Sequence, residues 1–86
     1  MEERRMSSVS VNDLDLNSPE SIRINLEKFS GERVTVSLIG GGELQGVVSK
    51  IGTTTLYITE LTGREFFDAL IRLDHISAVT VKMRNK

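Results

Sequence analysis

The stretch Ile71-Arg72-Leu73-Asp74-His75-Ile76 lies near the end of a series of short apolar segments and decides how the chain is interpreted. Arg72 stands between two apolar residues, and a polar corner at Asp74 and His75 separates it from the next apolar segment. This pattern predicts a guanidinium that points out of the rim of a small β structure. A planar guanidinium stacks on flat rings and donates several hydrogen bonds, so it is suited to contact with a nucleobase.

The segments before this stretch have the two-residue period of half-buried strands. Val34, Val36 and Leu38 alternate with polar residues, and the three glycines at 40–42 predict a hairpin turn. Gly46 lies inside the next segment, where a glycine indicates a sharp bend or a close approach of two backbones. The pattern predicts five strands, which begin at residue 33 and continue over 43–51, 56–61, 64–73 and 76–83.

A short amphipathic helix is predicted ahead of the strands. Ser18 suits the helix cap and Pro19 suits the first helical position. An apolar stripe at i, i+4 and i+7 would lie on the sheet, and its members are Ile22, Leu26 and Phe29. Residues 1–17 are polar and are predicted to form a mobile tail, which leaves 18–86 as the single folded domain.

Composition excludes several classes of site. The 86 residues include no cysteine and one histidine, which excludes disulfides, cysteine-ligated zinc and a multi-histidine metal centre. No cofactor is expected, and the lone His75 beside Asp74 has no associated cue to an activated nucleophile, so an enzyme is not expected. A domain this small is marginal alone, and oligomerisation is a usual source of added stability.

Charge and hydropathy limit the partners and the location. The formal net charge is −1, which is not the basic footprint of a protein that grips a nucleic-acid backbone. No apolar run approaches the roughly 20 residues that span a bilayer, and the N-terminus lacks the apolar core of a signal peptide. We therefore expect a cytoplasmic protein that does not act at a membrane.

These residues resemble the signatures of the Sm and Sm-like family. The opening stretch is similar to the second signature, Ile-Arg-Gly-Asp/Asn-Asn-Ile/Val, and Leu44-Gln45-Gly46 is similar to bacterial members of the family. The resemblance implies a mainly β fold, in which a short helix precedes a strongly bent five-stranded antiparallel sheet that forms a small SH3-like barrel. It also implies a closed homo-oligomeric ring of about six or seven subunits. The first signature is approximated by Gly31, Val34, Val36, Leu38, Gly42 and Gly46.

The family binds uridine-rich or adenine-rich single-stranded RNA at the ring pore, and the resemblance assigns candidates for this role. Arg72 matches the arginine of the second signature. The family's Asp, stacking residue and Asn fall on Gly52, Thr54 and Leu56, so these positions have lost the family's side chains. The candidate RNA-binding residues are Arg72, His75, Thr54, Thr53 and Asp74, and a basic edge is predicted at Lys82, Arg84 and Lys86.

Alternatives remain open for each candidate. Arg72 either contacts a base or forms an ion pair with Asp74, or with Glu65 across a subunit joint. His75 is either a stacking residue or a solvated corner residue, and the threonine hydroxyls either bind a ligand or simply begin a strand. Phe66 and Phe67 are expected in the core and in an interface.

Two functions follow from these alternatives. In one, the ring binds RNA and acts as a chaperone or scaffold, which Arg72 and the basic C-terminal residues favour. In the other, the same barrel serves only for assembly or for docking a partner protein, which the near-neutral charge and the loss of the family's Asn favour.

Overall fold

The computed structural model describes residues 9–83, and this part of the chain contains one helix and five strands. Short 3-10 turns lie ahead of the helix, at Val11–Asp13, and between the last two strands, at Leu73–His75. The elements are α1 (Ser21–Lys28), β1 (Arg33–Leu38), β2 (Glu43–Ile51), β3 (Thr55–Thr59), β4 (Ala69–Arg72) and β5 (Ile76–Val81).

The five strands form one antiparallel sheet in the order β4-β3-β2-β1-β5. β2 is shared between the two halves of the sheet. Val47 pairs with Arg33 of β1 and also with Thr59 of β3, so β1 lies beside the first half of β2 and β3 beside the second half. The range 43–51 that the sequence predicts for the second strand is confirmed.

The connection between β4 and β5 shows how far the sheet curls. These strands occupy opposite edges of the sheet, yet Arg72 at the end of β4 and Ile76 at the start of β5 are joined only by Leu73–His75. Four peptide steps span at most roughly 14 Å, whereas the outer strands of a flat five-stranded sheet lie about 19 Å apart. The sheet is therefore bent towards a small barrel, although the two edge strands do not pair with each other within the described residues.

The concave side of the sheet encloses the core, and α1 covers its open end. Leu26 and Phe29 of the predicted helical stripe are buried, and Ile22 packs against them. Full burial of one such side chain stabilises the fold by about 1.5–3 kcal/mol. The strands contribute Val34, Val36, Val48, Leu56, Ile58, Ile71 and Ile76 to the same core.

The helix begins two residues later than the sequence pattern predicts. The hydroxyl of Ser18 accepts a hydrogen bond from the N–H of Glu20 at 3.0 Å, and the carbonyl of Ser18 accepts one from the N–H of Ser21 at 3.1 Å. These bonds make a turn at Pro19 in place of a first helical turn, because a serine hydroxyl competes for nearby backbone N–H groups. Glu20 is the cap residue instead of Ser18.

Residues 9–17 have defined contacts with the domain, which differs from the predicted mobile tail over 1–17. The N–H of Asp15 donates to the side-chain oxygen of Asn25 at 2.8 Å, and the amide of Asn25 donates back to the carbonyl of Asp15 at 2.7 Å. Leu14 packs against the core from the same segment. Residues 1–8 lie outside the described residues.

The predicted fourth strand is much shorter in the structure. A second turn replaces its first half: directly after the bridge between Leu61 and Arg64, the N–H of Phe67 donates to the carbonyl of Arg64 at 2.9 Å. Because the chain is still turning here, Phe66 is 100% exposed and Phe67 is 58% exposed. The expectation that these rings lie in the core is therefore wrong for the single chain, and their place in an interface stays a prediction.

Candidate functional site

Two turns meet beside the end of β4 and form the frame of the candidate site. The N–H of Leu73 donates to the carbonyl of Thr54 at 2.8 Å, which joins the turn after β4 to the turn between β2 and β3. The N–H of Gly52 donates to the carbonyl of Thr55 at 2.9 Å and closes that second turn. Thr55 is the register partner of Arg72, so the strand pairing brings the threonine hydroxyls next to the guanidinium.

Arg72 is held by a two-point ion pair with Asp74. Its Nε donates to Oδ1 of Asp74 at 3.0 Å, and its Nη2 donates to Oδ2 at 2.9 Å. The side chains are 67% and 64% exposed, so the guanidinium keeps one face open to solvent. Of the ion pairs considered from the sequence, the one with Asp74 forms, and it forms within one chain.

The ion pair shifts the acid–base behaviour of both partners. The hydrogen bond from Arg72 lowers the pKa of Asp74 from its ordinary value, and the coulombic interactions with Arg72 and with the neighbouring His75 act in the same direction. The hydrogen bond to Asp74 raises the pKa of Arg72. Both groups therefore stay charged at neutral pH, and the site presents a fixed pair of opposite charges.

Replacing Asp74 by Asn should change the stability of the protein very little, since exposed ion pairs contribute little. We expect the melting temperature at pH 7 to stay within about 3 °C of the parent. Because folding lowers the pKa of Asp74, any stabilisation is present above its unfolded pKa and is lost as the pH falls through the folded value. The difference between parent and variant should therefore shrink in acid.

Thermal melts at pH 7 and pH 3 measure this difference. Glu60→Gln is the control, because it removes another exposed ion pair, in which Nη2 of Arg33 lies 3.6 Å from Oε1 of Glu60. A fall of ten degrees for Asp74→Asn at pH 7 would mean that the ion pair holds the turn in place.

Two shallow depressions lie on either side of the Arg72 side chain. The first, of about 250 Å³, is lined by Thr54, Thr55 and Arg72. The second, of about 300 Å³, has Arg72 and His75 among its lining residues, with Ile39 and Leu70 as apolar members. Arg72 thus lines both depressions, of which the first is walled by threonine side chains and the second is partly apolar.

The structure brings together most of the predicted site residues. Arg72, Asp74, His75 and Thr54 share the rim, while Thr53 is exposed in the same turn but outside both depressions. Leu56, at the position of the family's Asn, is fully buried and offers nothing to a ligand.

The predicted basic edge is not part of this rim. Lys82 is exposed just after β5, and the length of that strand separates it from the start of β5 by roughly 20 Å. Arg84 and Lys86 lie outside the described residues.

Ile39 and Leu70 were missed by the sequence reasoning. Ile39 is 63% exposed, and its N–H donates to the carbonyl of His75 at 2.8 Å, which draws the β1–β2 hairpin towards the rim. Leu70 is 74% exposed and alternates with the buried Ile71. That alternation was visible in the sequence and places Leu70 on the outer face of β4.

Neither a metal centre nor a membrane span is found in residues 9–83. No three His, Cys, Asp or Glu residues in this range are grouped so that they hold a metal ion. Its helices are too short and too polar for any of them to cross a bilayer.

No protein-family model matches the sequence, and a comparison with curated proteins gives no match. Solved structures do match the fold. The chain is similar to a novel Sm-like archaeal protein from Pyrobaculum aerophilum, with a TM-score of 0.61 and 19% identity over 73% of this chain and 52% of that chain. The chain has the Sm-like fold.

A second Sm-like structure agrees over nearly its whole length. The SmAP (LSm) protein from Methanococcus vannielii matches with a TM-score of 0.61 and 21% identity, over 78% of this chain and 98% of that chain. The chain spans about half of the Pyrobaculum protein and nearly all of the Methanococcus protein. The Sm-like fold predicted from the sequence signatures is confirmed. Sequence identities of 19% and 21% support the fold and no statement about function.

Proposed function

We propose that this chain is a non-catalytic subunit of a closed homo-oligomeric Sm-like ring, and that the ring binds single-stranded RNA through the rim around Arg72. The position of Arg72 carries the proposal. An exposed guanidinium lies at the junction of two hydrogen-bonded turns, between two depressions that it helps to line. The same arrangement in each copy would give a closed ring one such guanidinium per subunit around a common opening.

The edges of the sheet support ring formation. β4 pairs only with β3 and β5 pairs only with β1 among the described residues, so each leaves one edge open. An open edge is a template for pairing with another chain. Pairing β4 of one copy with β5 of the next uses two different surfaces, and repetition of such a head-to-tail contact closes into a ring. The exposed Phe66, Phe67 and Leu70 at the β4 edge give this contact an apolar part.

Native mass spectrometry of the parent at micromolar concentration should show one closed species of about six or seven subunits. Light scattering of the same sample gives an independent mass. A sharp monomer peak at this concentration would contradict ring assembly.

The chemistry of the rim supports RNA as a ligand. The guanidinium of Arg72 presents a planar surface and several N–H donors, and single-stranded bases offer both a π face and polar edges. The hydroxyls of Thr54 and Thr55 lie 3.1 Å apart beside it and offer further donors and acceptors. The imidazole ring of His75 lines the second depression together with Arg72 and offers a flat surface there. These contacts suit a base more than a backbone phosphate, which agrees with a net charge of −1.

An assembly module without RNA is the second candidate, and one observation favours it. Asp74 occupies two donors of Arg72 and places a negative charge at the rim. In this alternative the ring serves as a scaffold or docks a partner protein, and Arg72 and Asp74 only shape the turn. Binding to short A-rich and U-rich RNA, titrated over a range of salt, separates the two functions, because neutralising several phosphates gives a steep salt slope.

A further inference from the structure

An apolar cleft lies between α1 and the edge strand β5. Ile22 and Phe29 form one wall, Val79, Val81 and Met83 form the other, and Leu14 of the N-terminal segment closes one end. Its volume is about 180 Å³, and most of its exposed lining is carbon. A cavity of about 150 Å³ lined by apolar side chains binds benzene, so a single phenyl ring matches this cleft in size and chemistry.

The same chain carries two phenyl rings without a place in its own core. Phe66 is 100% exposed and Phe67 is 58% exposed, directly before β4. The guanidinium of Arg64 lies 5.8 Å from the centre of the Phe67 ring. A wholly exposed phenylalanine beside an open strand edge marks a contact surface more than a solvated one.

The segment that carries these rings is held in position. The N–H of Phe67 donates to the carbonyl of Arg64 at 2.9 Å, and the carbonyl of Phe67 accepts from the N–H of Leu61 at 3.3 Å. The hydroxyl of Tyr57 donates to the carboxylate of Asp68 and fixes the next residue. Because these bonds already restrict the backbone, binding of the phenyl rings costs little further backbone entropy.

Strand direction places the rings and the cleft at the same joint. If β4 of one copy pairs antiparallel with β5 of the next, the residues ahead of Ala69 run past the C-terminal end of β5. Val81 and Met83 lie at that end and line the cleft. A pairing in the opposite direction would carry the rings towards Ile76 and away from the cleft.

We propose that the cleft between α1 and β5 of each subunit receives one phenyl ring from the Phe66–Phe67 pair of the neighbouring copy. This inference rests on the proposed ring and names the residues that make its joint. The partner is a second copy of this chain. The exposed phenyl rings, the cleft and the two open strand edges all belong to one sequence, and they come together in one head-to-tail arrangement. Each subunit then inserts one phenyl ring into the cleft of a neighbour and receives a phenyl ring from its other neighbour.

Replacing the two exposed phenylalanines tests the inference. The double variant Phe66→Ser/Phe67→Ser should weaken association by about ten- to a hundred-fold per joint, as measured by sedimentation velocity over a dilution series. Leu16→Ser is the matched control, because Leu16 is 76% exposed and does not line the cleft, so this variant should assemble like the parent. Val81→Phe should also weaken assembly, since the new ring would occupy the cleft from within. Circular dichroism melts of each variant identify any that fails to fold.

Cysteine cross-linking tests the contact directly, because the chain has no cysteine of its own. With Phe66→Cys and Met83→Cys on one chain, mild oxidation should give a covalent ladder up to the full ring on a denaturing gel. Either single variant should give no ladder, because head-to-tail joints bring Phe66 near Met83 and not near a second Phe66. Dimers from Phe66→Cys alone would overturn the proposed geometry.

The outcomes separate the inference from the proposed ring. If the double serine variant forms the same ring as the parent at all concentrations, and the cysteine pair gives no ladder, the inference is overturned but the proposed ring is not. A monomeric parent overturns both proposals. Dispersal of the ring by the serine variant together with the ladder supports both.

Discussion

Gly46→Val is expected to lower the melting temperature by at least about 5 °C, and by as much as about 20 °C. A Cβ at this position would lie 2.7 Å from the carbonyl oxygen of Thr59, and within 3.3 Å of the side chains of Leu61 and Ile58. The first contact is with backbone, so the sheet has to move to relieve it. Gly46 lies where β2 passes from its pairing with β1 to its pairing with β3, and the strain therefore acts on both halves of the sheet.

Gly52→Ala is the matched control for this prediction. A Cβ at Gly52 would lie 3.6 Å from the carbonyl oxygen of Thr55, an ordinary contact, so the variant should melt near the parent or slightly above it. All melts need the same protein concentration, because assembly makes the midpoint depend on it. If Gly46→Val melted within two or three degrees of the parent, the close approach of β2 and β3 would be wrong.

Arg72→Ala is expected to weaken RNA binding by the ring about ten- to a hundred-fold while leaving the ring intact. Arg72 is the residue that keeps the family's side chain at the rim, and it lines both depressions. Its loss removes a stacking surface and several donors together. Fluorescence anisotropy with labelled A-rich and U-rich RNA measures the affinity, and native mass spectrometry measures the ring.

Two further variants separate geometry from charge. Arg72→Lys keeps the positive charge but loses the planar fork, so it should bind nearly as poorly as Arg72→Ala. Lys82→Ala removes one positive charge from an exposed position away from the rim, and it should only flatten the salt slope slightly. Equal affinity of Arg72→Ala and the parent, or no binding by the parent at low salt, would favour the assembly module.

Local signals made the first three strands and their turns predictable from the sequence, whereas the fourth strand was predicted too long. The range 43–51 predicted for the second strand agrees with the observed β2, because alternation and the glycines at 40–42 act within a few residues. The sequence predicted a sharp bend or a close backbone approach at Gly46, and the structure shows the close approach, since a Cβ there would lie 2.7 Å from the carbonyl oxygen of Thr59.

Features that depend on distant partners were not predictable. The reciprocal hydrogen bonds of Asp15 and Asn25 join residues ten apart, and nothing in either residue alone signals them. The exposure of Phe66 contradicts the usual place of an aromatic residue in the core. For the candidate site, the sequence identified Arg72 and Asp74 but left their ion pair as one alternative, because its geometry depends on the turn at Leu73–His75.

The position of β1 between β2 and β5 has a consequence for the order of folding. β1 pairs with β2 on one side and with β5 on the other, and Val34 meets Val81 across 47 residues of chain. During synthesis β1 is complete early, but one of its edges stays unsatisfied until nearly all of the described chain has been made. Contacts this distant in sequence form slowly, since the intervening loop must close first. The nascent protein therefore carries an exposed apolar strand until β5 arrives, and the final strand completes the core in one late step.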